Sequence, residues 1–153
     1  MNRKGQAMKH FLCIAAFAAC GFTGTALAED EHVALFKNVS GSMKIARNGE
    51  ILDAVAGTNL FTSDKVVSGV GASGGIVFKD GTLLTVGPST EVQVRNYVFE
   101  PKNAKYEFSV YLARGTAIYS SGKIGKLAPE MVRVDTPTAT VGVRGTRFII
   151  SVE

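Results

Sequence analysis

Thr136-Pro137-Thr138-Ala139-Thr140-Val141-Gly142-Val143-Arg144-Gly145-Thr146-Arg147-Phe148 is the stretch that decides the fold. Pro137 fixes its own φ near about −65° and pushes Thr136 toward extended geometry. Gly142 and Gly145 are expected to take positive φ at bends. Threonines and valines between those points suit a pleated, half-buried surface, and Phe148-Ile149-Ile150 is apolar enough for a core strand. The stretch therefore reads as strand, tight bend, strand, with no place for a helix.

Working outward, the same short-strand and turn rhythm runs back through the chain. Met43, Ile45 and Arg47 alternate with Lys44 and Ala46, Asn48-Gly49 offers a type I′ hairpin turn, and Ile51-Leu52 begins the return. Thr62-Ser63-Asp64 is a turn in which the carboxylate caps backbone amides before Lys65-Val66-Val67. Asp80-Gly81 joins a strand ending at Phe78 to one over Thr82 to Val86. The longest hairpin puts Val92, Val94 and Val98 on one face, with Gln93, Arg95 and Tyr97 on the other. Its return strand places Tyr106, Phe108, Val110 and Leu112 inward. Ala113-Arg114-Gly115 is expected to turn before Thr116 to Ser120, and Met131 to Val134 reads as another strand. Residues 121–130, rich in glycine and lysine, read as a surface loop with one helical turn that needs tertiary support. The fold class is all-β, short antiparallel strands arranged as a two-sheet sandwich or a short solenoid-like stack.

Several of these pieces, in this order, carry a family resemblance. The closing motif Thr136 to Phe148 resembles that of the FecR domain family, named for the periplasmic sensor domain of a ferric-citrate transport regulator. Gly41 with Lys44-Ile45, Asn48-Gly49, Thr62 to Val66, Ala72-Ser73, Phe78 to Thr82, Gly87-Pro88 and Ala113 to Thr116 agree with it. The resemblance implies a non-enzymatic extracytoplasmic β domain used in recognition and signalling. In the regulators that name the family, that domain relays a signal from an outer-membrane receptor to a sigma factor.

The start of the chain is read separately. Arg3, Lys4 and Lys9 precede an apolar run from Phe11 to Gly24, and Ala26-Leu27-Ala28 supplies a small-x-small cleavage site. Residues 1–28 are therefore expected to be a signal peptide, a signal helix removed on export to the periplasm, leaving 29–153 as the domain. The run falls short of the ~20 residues of a spanning helix. Ala18-Ala19-Cys20-Gly21 offers a rival, a lipoprotein anchored to the membrane at Cys20; the intact mass of the mature protein separates the two. Met8 is an alternative start to Met1.

Cleavage changes the composition. The full chain has 17 Lys and Arg, and losing the three leader cations leaves 14 against 13 Asp and Glu, a net charge of +1. Nothing in that balance calls for nucleic acid. Cys13 and Cys20 both leave with the leader, so no disulfide or cysteine-metal site is expected.

The search for chemistry ends without a catalytic set. His32 is the one histidine of the mature portion, which excludes His-based triads and multi-histidine metal sites. Asp53, Asp64, Asp80, Glu100 and Glu130 sit in turns, and no two are nominated as a glycosidase pair. Gly69-Val70-Gly71-Ala72-Ser73-Gly74 matches GxGxxG in letters, but a strand follows where a dinucleotide site needs a helix. No enzyme, cofactor or metal is expected, with a hydrolase as the third reading. The leading expectation is a module that binds a protein or cell-envelope component, and the second is a glycan or peptidoglycan binder. The motif residues Thr136, Pro137, Thr140, Gly142, Arg144, Gly145, Thr146 and Phe148 are the structural or interaction signature. Arg147, Tyr97 and Tyr111 are candidate contacts, the two tyrosines with Phe99 as an exposed aromatic strip. Arg144 has two readings: bracing turn carbonyls or a carboxylate such as Asp80 or Asp135, which is favoured, or facing an acidic partner.

Overall fold

The computed structural model describes residues 31–153, so the signal peptide, the signal helix and the Cys20 anchor lie outside the described residues. From Ala34 onward the chain is a run of short strands, as the alternation predicts. β1 is Ala34–Ser40, β2 Met43–Arg47, β3 Glu50–Asp53, β4 Asn59–Leu60, β5 Lys65–Ser68, β6 Ser73–Phe78 and β7 Leu83–Val86. β8 (Glu91–Glu100) and β9 (Lys105–Ser120) form the long hairpin, followed by helix α1 (Lys123–Leu127), β10 (Val132–Asp135), β11 (Thr140–Gly142) and β12 (Arg147–Val152).

The strands pair in the order β3-β2-β5-β8-β9-β7-β6-β1-β4, with β10 and β12 also on β9 and β11 outside β10. The expected choice between two stacked sheets and a solenoid is corrected: this is one continuous, mostly antiparallel sheet that curls back on itself. β9 is the reason. Its first part pairs with β8 and, in parallel, with β10. Its last residues pair with β7 on one side and β12 on the other.

The expected turn at Ala113-Arg114-Gly115 is therefore a bend within a single strand. A register shift opposite Glu91 and Val92 and a left-handed Gly115 at φ +86 swing β9 from one half into the other without reversing it. Thr90 fills the inside of that bend. Its hydroxyl donates to the Pro88 carbonyl at 3.0 Å and accepts from the Thr116 amide at 2.9 Å.

The curl encloses one core. Phe36, Ile45, Phe78, Phe108, Leu112 and Tyr119 are fully buried within it. Phe78 of one half meets Phe108 of the other edge-on at 4.8 Å, and Phe108 meets Tyr119 at 5.5 Å. Asn48 and Gly49 both take positive φ, as the predicted type I′ turn requires.

A second register shift, between Val94 and Asn96, corrects the reading of β8. The extra residue inverts the alternation beyond Arg95, so Tyr97 faces Phe108 across the ladder and Val98 faces Glu107. Tyr97 thus turns toward Phe78 at 5.3 Å and away from solvent.

Residues 121–130 are more ordered than a surface loop. α1 forms because tertiary contacts replace the propensity its glycines lack: Ile124 is fully buried, and its amide and that of Lys123 donate to Asp80 Oδ2 and the Asp80 carbonyl.

Candidate functional site

The closing motif is built in three steps. Thr136 and Ala139 close a turn around Pro137, with the Thr136 amide donating to the Ala139 carbonyl at 2.7 Å and the Ala139 amide to the Thr136 hydroxyl at 3.0 Å. β11 then pairs antiparallel with β10, helped by the Thr140 hydroxyl donating to Asp135 at 2.7 Å. Val143 plunges into the core, Arg144-Gly145-Thr146 loops out, and the Ser121 amide donates to the Thr146 carbonyl at 2.7 Å as β12 begins. Phe148 stacks on Tyr119 at 4.9 Å, which anchors the strand.

Two expectations for this motif are corrected. Gly142 and Gly145 keep ordinary φ, and a Cβ at either would meet nothing within 4 Å; the chain bends at Pro137-Thr138 and at Gly145-Thr146 without a left-handed residue. Arg144 braces nothing. Its guanidinium is exposed and makes no hydrogen bond or ion pair among the described residues, because the proposed acceptors are already engaged. Asp135 accepts from Thr140 and pairs with Arg95 at 3.4 Å. Asp80 is saturated by Tyr97, Thr82 and Ile124.

Arg144, Gly145 and Thr146 form one wall of a cleft of about 390 Å³, the other wall coming from Ser121 and the α1 region through Gly125, Lys126 and Glu130. Lys126 and Glu130 are exposed and, like Arg144, unpaired among the described residues. Arg147 is also exposed at the start of β12. Beside the cleft, the Tyr119 hydroxyl is buried against Ser121 and Thr82. Gly125 packs closely against Ser121 and that hydroxyl: a Cβ there would overlap Ser121 Oγ and stand 3.0 Å from the Tyr119 hydroxyl.

The aromatic candidates do not form a strip. The Tyr97 hydroxyl accepts from the Asp80 amide at 2.8 Å and donates to Asp80 Oδ1 at 3.1 Å. Tyr111 is half-buried beneath Arg95, whose guanidinium carbon lies 4.1 Å from the ring centroid. Phe99 packs partly into the core beside Tyr106 at 6.2 Å.

Two turn carboxylates prove to be buried anchors. Asp64 caps the Phe61 amide as expected and also receives a two-pronged bond from Arg47, at 2.9 and 2.7 Å. That pairing holds the Arg47 guanidinium protonated to still higher pH than usual. Among the described residues no three His, Cys, Asp or Glu side chains converge as a metal site would require.

Burial, and then the charge of Asp80, pushes the Tyr97 phenol well above its ordinary range, and burial does the same for Tyr119. Both raised groups stay protonated in the fold while the unfolded chain deprotonates near about pH 10. Their contribution is therefore complete below that pH and lost above it. The urea midpoint should hold up to about pH 9 and fall steeply between about pH 10 and 11.5, and a Tyr97→Phe, Tyr119→Phe double variant should show a shallower fall. An equal slope in that variant would sink this account.

A small curled β domain, with open strand edges, a cationic cleft and no convergent catalytic cluster among the described residues, is the class these features define. The FecR protein family model matches residues 64–153, and the chain belongs to that family. A signalling or regulatory role follows in general terms. No curated protein and no solved structure matches the chain at a significant level. The matched span contains the closing motif, β9 and both walls of the cleft, whereas β1 to β4 precede it.

The closing motif and its exposed arginines were legible as a signature. The opposite wall was not, because Lys126 and Glu130 stand in a glycine-rich segment whose letters suggest only a loop. The one available signal was the pair Gly122 and Gly125 flanking a lone apolar Ile124.

Proposed function

We propose that this chain is an exported, non-enzymatic recognition and signalling module that binds a protein partner of the cell envelope by adding a strand to β12. The observation that carries this is the β12 edge. Among the described residues β12 pairs with β9 alone, so its other side presents unpaired backbone groups, with Ile149 67% exposed beside them. Open edges of this kind accept an extended segment through main-chain hydrogen bonds, with side-chain contacts giving selectivity. The secretory character of residues 1–28 supports export, and family membership supports a signalling role. The glycan reading loses its main feature, since Tyr97 points inward and Tyr111 lies under Arg95.

Ile149→Lys tests it, because a lysine on an edge discourages strand addition while the exposed position leaves the core untouched. An envelope protein retained by the wild-type chain should be lost with the variant, at an unchanged melting temperature. Equal retention by both, or retention of purified sacculi and no protein, would contradict the proposal.

A further inference from the structure

We infer that the cleft at the head of β12 is a carboxylate site, and that the strand β12 receives is an acidic segment of a partner protein whose Asp or Glu side chain seats between Arg144 and Lys126. This rests on the strand-addition reading above and narrows it to one kind of partner.

Charge and position converge. Arg144 and Lys126 face the same cleft with no counter-charge bonded to either, while the one acid in the lining is Glu130. The local balance is thus a single positive charge, matched to one carboxylate and poorly matched to a dianionic phosphate. An arginine fork accepts a carboxylate with two parallel bonds, which a lysine alone cannot do. Finally the cleft is continuous with the edge: Arg144, Gly145 and Thr146 line it, and β12 starts at Arg147. A segment laid along β12 therefore passes the cleft, and Arg147 adds a further exposed cation at that end.

The test is a selection of random twelve-residue peptides on the full chain, on an Arg144→Ala, Lys126→Ala double variant, and on Ile149→Lys. Both cations are exposed, so equal melting temperatures are expected. Selected peptides should share one acidic position, and changing that residue to its amide should weaken binding to wild type about tenfold. On the double variant the same change should have almost no effect, and 0.5 M NaCl should erase most of the wild-type preference. Peptides that need the edge, being lost with Ile149→Lys, but show no fixed acid would overturn the carboxylate site while leaving strand addition standing. No selected peptides, or peptides indifferent to Ile149→Lys, would overturn both.

Discussion

Alanine at Gly115 is expected to destabilise the domain by at least about 3 kcal/mol, enough to leave much of a marginally stable fold unfolded at 37 °C. Two costs combine. The residue sits at φ +86, where a side chain costs on the order of 1 kcal/mol. The added Cβ would also overlap Thr90 Oγ1 and stand 2.5 Å from Thr90 Cα, so backbone must move. Overpacking against backbone adds roughly 1–3 kcal/mol. Displacing Thr90 further breaks the bonds its hydroxyl makes to Pro88 and Thr116, at roughly 1 kcal/mol each. Gly81→Ala is the control. It has a similar φ of +85 but open space around it, and it should cost only about 1 kcal/mol. Urea denaturation of both variants decides the point: equal losses would show that conformation alone, and not the bend against Thr90, makes Gly115 necessary.

Asp80→Ala should be nearly as damaging, at about 3–4 kcal/mol. The carboxylate is 1% exposed. Oδ1 accepts from Tyr97 and from the Thr82 amide at 3.2 Å, and Oδ2 accepts from the Thr82 hydroxyl at 2.6 Å and the Ile124 amide at 3.1 Å. Removing it strands several buried donors at once, each worth about 1–3 kcal/mol before relaxation. Asp80→Asn should do little better, because its NH₂ would face donors in place of an acceptor. The loss should be uneven across the molecule. α1 is tied down through Asp80, so amide exchange at Ile124 should speed up more than at Val110, and the wall carrying Gly125 and Lys126 should loosen first. A variant that lost stability with α1 fully protected would refute this division of labour.

What could be read from the letters tracks what local geometry dictates. The Asn48-Gly49 hairpin, the Asp64 cap and the inward face of Phe108, Val110 and Leu112 depend on neighbours within a few residues, and all three stand as expected. The misreadings came where one residue's surroundings are set from far away. A single extra residue at Arg95 inverted Tyr97 and Val98, since period-two reasoning has no way to sense a bulge. Gly115 looked like a reversal because a glycine after Ala113-Arg114 suggests a turn, whereas its role is fixed by Thr90, 25 positions earlier in sequence. Arg144 was expected to brace turn carbonyls or a carboxylate such as Asp80 or Asp135, because glycine-flanked strand ends commonly need such bracing; in three dimensions both carboxylates are claimed by other donors. The parallel pairing of β10 with β9, and the meeting of the α1 region with the Arg144 loop across the cleft, depend on the same long-range placement.

β9 serves as the keel of the molecule. Strands of both halves are laid directly against it, and few side-chain layers separate what hangs on one flank from what hangs on the other. Descendants of this chain are therefore freer to swap hairpins at the periphery than to retune the keel, and a tug on β12 is felt first by the same sixteen residues that moor the hull opposite.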